Sequence, residues 1–440
     1  MDLASHFIEA SVWHGTLEAS TAILAAHPEV ADANIHVAAI LGDNEGVRRF
    51  IAADPSSAAA KGGPRGWDPL THLCFSKYLR LDPSRSAAFL DAATALLDAG
   101  ASASTGFFDM DHRPSPVWES ALYGAAGVAH HADLTRLLLA RGANPNDEEA
   151  VYHSPETHDN GAMRLLVETG ALTDDNLALM LLRKHDWHDY DGVEWLLDHG
   201  IDVNRKSDRW RRPLHHAISR DNALPLIELL LDRGADPMLP EDGETAAAMA
   251  ARRGRGDLLE AFDRRGLRVE LRGVERLIAA CARNDTAAVY TIASAEPELL
   301  AELLAEGADR LAQFAGIGNT EGVGHLLDLG VPITSLYDNG GLYFGIPRAS
   351  TALHVAAWFL RHATVRLLLE RGAPVNVKDG AGRTPLTLAV QASVQSYWTD
   401  RRSPESIAAL LDAGASVDGV LFPSGYVEAD ELVARHRNGA

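Results

Sequence analysis

Residues 350–380 read STALHVAAWFLRHATVRLLLERGAPVNVKDG and contain one complete helix-turn-helix unit. Ser350 or Thr351 can cap the first helix, because a hydroxyl oxygen accepts an orphan N–H there. Leu353 and further apolar residues follow at helical spacing. Gly372 ends the second helix, since glycine adopts the left-handed C-terminal conformation without a Cβ clash. The polar stretch VNVKDG predicts a turn or short hairpin that leads to the next unit.

The ending of this unit recurs along the chain as two or three leucines, a Gly-Ala pair or near match, and a polar turn. Copies read LLLARGANPN at 137–146, WLLDHGIDVN at 195–204 and LLLDRGADPM at 229–238. Successive glycines of this kind lie 28, 30, 34 and 32 residues apart: Gly142, Gly170, Gly200, Gly234 and Gly266. A period of about thirty residues indicates one supersecondary unit copied in series.

These residues resemble the ankyrin repeat. TALHVAA at 351–357, TPLTLAV at 384–390 and RPLHHAI at 212–218 are similar to the family's T-P-L-H-x-A-A, and the LLLxxGAxxN endings are similar to its second signature. The resemblance implies an all-α solenoid of helix-turn-helix units with projecting hairpin or loop fingers. It also implies a protein- or peptide-binding scaffold, whose concave face is formed by the fingers and the first helices.

About twelve such units can be placed in one continuous solenoid. An arginine-rich stretch, 252–276, is the best candidate for a break, so the chain divides into N-terminal repeats, 1–270, and C-terminal repeats with a terminal cap, 271–440. Interleaved acids indicate that this stretch is a solvated helix surface and not an anion site. LLAEGAD at 303–309 mimics a unit ending, but 303–315 is predicted to enter a first helix, because LAQFAG follows too soon for a finger.

Composition disfavours several function classes. The chain carries 40 Lys and Arg against 61 Asp and Glu, a net charge of −21. This charge repels phosphate backbones and anionic membranes and favours basic protein partners. No signal peptide or membrane span is found, which predicts a cytoplasmic protein. Cys74 and Cys281 lie among apolar residues and are expected to be buried reduced thiols.

Three insertions, 104–120, 334–350 and 391–406, exceed what a repeat requires. The first two occupy the finger position and carry aromatic residues that suit recognition, because a rigid scaffold holds them on loops. These residues are Phe107, Phe108 and Trp118 in the first and Tyr337, Tyr343 and Phe344 in the second. The alternative is that the rings fold back as small satellite cores. The third insertion is predicted to lengthen the turn between its two helices.

Polar and aromatic residues also mark the starts of first helices in the central units. The sequence predicts that they line the concave face as a binding surface. The set comprises Trp67, Asp68, Trp118, Tyr123, Tyr152 and Trp210.

The alternative function is an enzyme or small-ligand-binding protein with a pocket in units three to six. A general acid or base needs a carboxylate or imidazole in a pocket that shifts its pKa. The candidates, beside Trp118, are Glu119, His153, His158 and Asp159. No Gly-rich phosphate loop, nucleophile elbow or zinc-helix pattern occurs, so the sequence favours binding over catalysis and predicts no cofactor.

Several histidines have structural explanations. His36, His215 and His354 occupy the His of the T-P-L-H pattern, where the ring is expected to bond turn backbone. His185 and His188 are predicted to lie in a turn between helices. With Asp186 and Asp189 they offer donors, but their spacing selects no metal, and no metal site is expected.

Overall fold

The computed structural model describes residues 2–208, 210–338, 340–396 and 398–439. The chain forms two compact units. Unit 1 comprises Met1–Asn222 and Asp232–Gly234, and unit 2 comprises Ala223–Leu231 and Ala235–Ala440.

Unit 1 is a stack of helix pairs with one hairpin. Its α-helices are α1 (Leu3–Ser11), α2 (Glu18–Ala26), α3 (Ile35–Leu41), α4 (Asn44–Ala53), α5 (Pro69–Cys74), α6 (Lys77–Leu81), α7 (Ser86–Asp98), α8 (Ala121–Tyr123), α9 (Ala132–Ala140), α10 (Glu148–His153), α11 (Gly161–Glu168), α12 (Asp174–Asp186), α13 (Tyr190–Asp198) and α14 (Pro213–Ser219). The hairpin strands are β1 (Gly106–Asp109) and β2 (Val117–Ser120). Short 3₁₀ helices span Pro28–Asp32, Pro55–Ala59 and Pro83–Arg85, and a π-helical turn spans Gly124–Val128.

Unit 2 repeats the same plan and, apart from the last residue of its first helix, contains the remaining elements. Its α-helices are α15 (Leu224–Asp232), α16 (Ala246–Arg252), α17 (Gly256–Arg264), α18 (Val274–Ala282), α19 (Thr286–Ala295), α20 (Pro297–Ala305), α21 (Gly307–Ile317), α22 (Thr320–Asp328), α23 (Ala352–Trp358), α24 (His362–Glu370), α25 (Pro385–Gln395), α26 (Glu405–Asp412) and α27 (Val427–Gly439). Its strands are β3 (Pro240–Glu241), β4 (Glu244–Thr245), β5 (Leu336–Tyr337) and β6 (Ser350–Thr351), and 3₁₀ helices span Leu342–Phe344 and Thr399–Arg401.

Within each unit, first helices pack against first helices and second helices against second helices. In unit 1, α10 packs on α12 and α12 on α14, while α4 packs on α7 and α7 on α9. In unit 2, α21 packs on α23 and α23 on α25. Small side chains such as Ala356 and Ala357 are fully buried at these contacts and let the backbones approach. The predicted all-α fold of helix-turn-helix units is confirmed, and the described strands occur only in two-stranded hairpins.

Residues 350–380 adopt the predicted local structure. Thr351 caps α23, and the His354 ring completes a capping box by accepting the Thr351 N–H at Nδ1, 3.1 Å away. The other ring nitrogen, Nε2, lies 2.9 Å from the Val377 carbonyl and 3.2 Å from that of Arg383. The prediction that this histidine bonds turn backbone is confirmed. Gly372 has a φ of +83° after the second helix, as its position requires.

Two predictions about irregular segments are confirmed and one is wrong. Residues from 307 onward form a first helix, α21, while 303–305 close the preceding α20. The insertion 391–406 begins within α25 and ends within α26, so it includes the connection between them. His185 does not lie in a turn, because α12 continues to Asp186. Its ring is fully buried with Nδ1 2.8 Å from the Asn222 amide oxygen.

Both cysteines are buried free thiols, as predicted. Burial raises the pKa of the Cys281 thiol to about 12 and raises that of Cys74 as well, so neither is poised as a nucleophile. None of the described helices combines the length and apolar character needed to cross a bilayer.

Candidate functional site

The hairpin of unit 1, residues 106–120, has two faces with different surroundings. Its antiparallel register pairs Phe107 with Glu119 and Phe108 with Trp118. Residues directly opposite each other share a face, and successive residues alternate faces. Phe107 and Glu119 therefore lie on one face, and Phe108 and Trp118 on the other.

The first face packs onto the helices through a cluster of rings. Phe107 stacks on Trp67 with ring centroids 4.1 Å apart and meets Phe75 edge-on at 5.2 Å. Trp13 stacks on Phe75 at 5.0 Å, and Tyr123 meets Phe75 at 5.7 Å. We call Trp13, Trp67, Phe75, Phe107 and Tyr123 the aromatic cluster. The satellite-core alternative therefore describes Phe107.

Asp68 ties the start of α5 to the hairpin. Its carboxylate accepts the Thr71 N–H at 3.0 Å and the Thr71 hydroxyl at 3.0 Å, and it also accepts the Thr105 hydroxyl. Asp68 is buried, so its part in any recognition is to position the hairpin.

The second face of the hairpin is open to solvent. Phe108 is 59% exposed and Trp118 is 40% exposed, and their rings pack edge to face at 5.0 Å. Met110, in the turn of the hairpin, is 67% exposed. These side chains form an apolar patch on a rigid support, because the opposite face is packed onto the aromatic cluster.

A row of alternating charges begins beside the aromatic cluster. The His153 ring joins two carboxylates: Nε2 lies 3.2 Å from Glu149 and Nδ1 lies 2.9 Å from Glu156. Burial alone would lower the pKa of His153, but the hydrogen bonds and charges of the two glutamates raise it to about 9. The ring is therefore a cation at neutral pH. Its centroid lies 5.1 Å from that of Tyr123.

Gly127 makes this approach possible. A Cβ at Gly127 would lie 2.7 Å from the Tyr123 ring and 2.8 Å from the His153 Cβ. No larger residue fits between the π-helical turn and α10 without displacing these side chains.

The row of charges continues through Arg183, which is ion-paired with Glu156 and with Asp186. Asp186 also contacts the His216 ring at 2.8 Å and Arg220 at 2.5 Å. Burial opposes ionisation of Asp186, but these partners lower its pKa to about 2. We call Glu149, His153, Glu156, Arg183, Asp186, His216 and Arg220 the charge chain.

Two predicted aromatic residues flank the charge chain. The Arg183 guanidinium lies 4.1 Å from the centroid of the Tyr152 ring and 5.7 Å from that of Trp210. The two rings are 5.9 Å apart and half-buried. Such cation–π contacts fix the rings and leave their outer edges accessible.

Glu119 is the most unusual charged residue of this surface. Its side chain is 96% buried, since only 4% of the residue is exposed, and its Oε2 has no hydrogen-bond partner among the described residues. Burial is the main cause that raises its pKa to about 8, and the charges of Glu149 and Asp109 add to it. The carboxyl is therefore largely protonated at neutral pH.

The structure does not bring together the four residues of the predicted pocket. Trp118 lies on the opposite face of the hairpin from Glu119. His158 is exposed and lies near Trp187, with ring centroids 6.2 Å apart. Asp159 is exposed and accepts the Gly161 N–H at 3.0 Å. Of the proposed acid–base residues, Glu119 and His153 alone occupy the same surroundings.

Sequence reasoning missed several members of this surface. Glu149 could have been found, because it lies four residues before His153 on α10 and so shares its helical side. Glu156 lies beyond the end of α10, where helical spacing does not apply. Trp13 and Phe75 gave no signal, since nothing in either segment indicates a contact with the insertion 104–120.

In unit 2, the insertion 334–350 mostly packs against its own helices. Phe344 meets Phe359 at 5.3 Å and Trp398 at 5.8 Å, and its carbonyl accepts the Trp358 Nε1–H at 2.6 Å. Tyr343 remains exposed. The aromatic residues of this insertion thus divide between a satellite core and one exposed ring.

The arginine-rich stretch of unit 2 is extensively ion-paired. Arg252 lies 3.2 Å from Glu275, Arg265 lies 3.1 Å from Glu228, and these pairs agree with the predicted solvated surface. An open depression of about 390 Å³ lies here. Its lining is Asp242, Gly243, Glu244, Thr245, Ala248, Arg252, Glu270, Arg272 and Glu275, which mixes both signs of charge.

Comparison with known proteins identifies two segments. Residues 196–250 match a family model described as ankyrin repeats (many copies), and residues 350–380 match one described as ankyrin repeat. Among solved structures, the human ASB11 ankyrin repeat domain matches 48% of this chain and 89% of its own length, with 20% identity and a TM-score of 0.38. The family models are the informative matches, since so low a TM-score carries no argument.

Proposed function

This chain is an ankyrin-repeat protein, and we propose that it binds a partner protein or peptide through unit 1, with the outer face of the hairpin as the main anchor. Ankyrin repeats generally serve as protein-interaction scaffolds. The binding surface comprises the hairpin and the adjoining first helices α8, α10, α12 and α14.

One observation carries this proposal: Phe108 and Trp118 are exposed while Phe107, their neighbour on the same hairpin, is packed into the aromatic cluster. Exposed aromatic rings bind well when they are already held in place, because little conformational entropy is then lost on docking. The hairpin meets this condition, since its other face is fixed by ring contacts.

The other predicted residues divide into two roles under this proposal. Trp67, Asp68, Phe107 and Tyr123 hold the hairpin and the π-helical turn in position. Tyr152 and Trp210 extend the contact surface along the charge chain, and Tyr343 offers a separate contact in unit 2. The net charge of −21 favours a basic partner.

The enzyme or small-ligand alternative rests on Glu119 and His153 alone. Both have shifted pKa values, which is a feature of functional sites. His158 and Asp159, the other residues predicted for acid–base roles, lie elsewhere and are exposed, so recognition is the better-supported function.

Affinity purification with the full chain as bait tests the proposal. In the double variant Phe108→Ser/Trp118→Ser, we expect recovery of specific partners to fall at least about fivefold, because exposed aromatic anchors carry a large share of binding energy. The variant should stay folded, since replacing exposed rings usually changes stability little.

Tyr290→Ser is the matched control. Tyr290 is 52% exposed on α19, a second helix of unit 2 that is not part of the proposed surface. We expect its partner recovery to equal that of the wild type. Equal recovery by the double variant as well, with unchanged circular dichroism, would reject the hairpin as the anchor.

A further inference from the structure

The carboxyl group of Glu119 is buried and unsatisfied. No hydrogen bond from a described residue reaches Oε2, although the residue is 4% exposed. A buried acceptor without a donor is costly, and a buried carboxylate without a counter-charge costs more. Its retention on the packed face of the hairpin therefore needs an explanation.

The charges around Glu119 are mostly acidic. Electrostatic interactions reach Glu119 from the acids Asp109 on β1, Asp147 at the start of α10 and Glu149 on α10, and from the base His153. His153 is already bonded to Glu149 and Glu156. Tyr123 faces the same carboxyl from α8 as a neutral phenol, since burial raises its pKa and Glu119 adds to that shift.

The charge chain does not supply the missing cation. Its three carboxylates, Glu149, Glu156 and Asp186, are matched by the cations His153, Arg183 and Arg220, and burial lowers the pKa of His216. Glu119, Asp109 and Asp147 lie beyond this balanced set. Among the residues that the structure describes, the end of the surface nearest the hairpin is therefore predominantly acidic.

The equivalent position in unit 2 has a cation beside it. Glu244, like Glu119, directly precedes the N-cap residue of a first helix. Arg252, seven residues after that N-cap, lies 3.8 Å from Glu244. The corresponding residue in unit 1 is Gly127, which has no side chain to place a guanidinium beside Glu119.

We propose that Glu119 forms a cation-binding subsite that receives the ammonium or guanidinium of a lysine or arginine side chain of the bound partner. The subsite deepens the proposed function and rests on it. A side chain of this kind suits the place, because its apolar stem can pack against the aromatic cluster while its charge reaches the Glu119 carboxyl.

A metal ion is a poorer occupant. Among the described residues, no three His, Cys, Asp or Glu side chains are grouped so as to hold one. An organic cation needs fewer ligands and can use the ring faces as well.

Binding of a cation would ionise Glu119. The carboxyl is largely protonated at neutral pH in the free protein and would lose its proton when a positive charge arrives beside it. The proton passes to the buffer, so recognition of the basic residue should release up to about one proton.

A random peptide library displayed on phage, selected on the full chain, tests the subsite. We expect the selected peptides to share a fixed lysine or arginine. Replacing that residue with norleucine or citrulline should weaken binding at least about tenfold, because a charge-assisted contact to a buried carboxylate is lost. Calorimetry in buffers of different ionisation enthalpy should detect the released proton.

Glu119→Gln should remove both effects. In this variant the lysine and norleucine peptides should bind equally, and no buffer-dependent heat should remain. Glu168→Gln removes an exposed carboxylate at the end of α11 and should behave as the wild type.

The outcomes separate the two proposals. Two results would overturn the subsite and leave the anchor intact. In the first, the selected peptides require Phe108 and Trp118 but bind equally well with norleucine in place of lysine. In the second, Glu119→Gln still distinguishes the lysine peptide from the norleucine peptide. Failure to select any peptide, or peptides indifferent to Phe108 and Trp118, would overturn the binding surface itself. Putrescine tests whether a free amine can replace the peptide side chain. If it binds with the same affinity and the same proton release as the peptide, the proposal that the cation belongs to a peptide is wrong.

Discussion

The hairpin of unit 1 and the loop between β5 and β6 of unit 2 are insertions at the same place in a helix pair, and they differ in what they leave exposed. Each ends at the N-cap of a first helix, Ser120 in one and Thr351 in the other. Each also packs a phenylalanine against the residue that ends a first helix, Phe107 on Phe75 and Phe344 on Phe359.

The two insertions differ in the number of residue pairs between their strands. Four residues pair with four in the hairpin, which creates a second face that the helices cannot cover. Two residues pair with two in the loop, and the remainder folds onto the helices with its backbone bonded to Trp358. An aromatic insertion thus keeps rings exposed when its strand pairing is long enough to support two faces.

The residue before the N-cap also differs between the two insertions in its hydrogen bonding. In unit 2 it is Ser350, whose hydroxyl donates to the Pro347 carbonyl at 2.9 Å. In unit 1 it is Glu119, which finds no such partner at Oε2. Ser350 is thus hydrogen-bonded within its own loop, whereas one carboxyl oxygen of Glu119 has no hydrogen-bond partner among the described residues.

The largest expected effect tests the similarity of the two insertions. Phe75→Ala and Phe359→Ala should each lower the free energy of unfolding by about 3–5 kcal/mol, because each deletes a buried ring on which an insertion packs. Urea denaturation followed by circular dichroism measures both. A loss below about 1 kcal/mol in either variant would show that its insertion does not depend on this contact.

A second pair of variants tests the difference. Phe344→Ala should cost about 2–3 kcal/mol, since the ring packs against Phe359 and Trp398, while Phe108→Ala should cost less than about 0.5 kcal/mol. The same denaturation experiment compares them. Equal losses would mean that the outer face of the hairpin is also packed in solution.

Glu119→Gln should stabilise the protein at alkaline pH. The pKa of about 8 in the folded state exceeds the ordinary value of about 4.3, so the folded state holds this proton more tightly. The resulting stability is full at acid pH and is lost as pH rises through about 8. Because glutamine cannot ionise, the variant should gain on the order of 1–3 kcal/mol over the wild type above that pH.

Unfolding curves across the pH range provide the measurement. Glu119 and His153 interact, and the pKa of His153 is about 9, so the difference between the two proteins is read below about pH 8, where the folded-state His153 keeps its proton in both. A difference that does not vary with pH would mean that Glu119 is ionised throughout.

The smallest expected effect concerns the loop of unit 2. Trp358→Phe removes the hydrogen bond to the Phe344 carbonyl and should cost about 1 kcal/mol. Amide hydrogen exchange should quicken within 341–349 and stay unchanged in the hairpin. If exchange in the loop is unchanged, the packing of its rings, and not this hydrogen bond, protects its amides.

Local sequence signals predicted the scaffold, because the caps and turns depend on residues close together in the chain. Thr351 and His354 form their capping box within a single helical turn, and Gly372 ends its helix through its own backbone. The alternation of helices therefore followed from residues 350–380 and their copies.

The site depended on information that local patterns do not carry. A shift of one residue in the hairpin register would have buried Phe108 and exposed Phe107, and nothing in 104–120 selects between them. The burial of Glu119 follows from that register. Trp13 meets Phe107 because the segment after α1 lies beside the end of α5, where the Trp13 N–H donates to the Phe75 carbonyl at 2.9 Å. His185 is buried because α12 runs further than the expected turn.

The glycine that ends each repeat has a consequence for substitution. At Gly142 and Gly372, φ is +93° and +83°, and an added Cβ would meet no atom within 4 Å. At these positions the backbone conformation, and not a lack of space, therefore disfavours an L-amino-acid side chain. A mirror-image alanine, introduced by chemical synthesis, would prefer the same backbone conformation and lose less freedom on folding than glycine does. The repeat ending is thus a place where the natural L-amino acids offer no residue as well suited as one of opposite chirality.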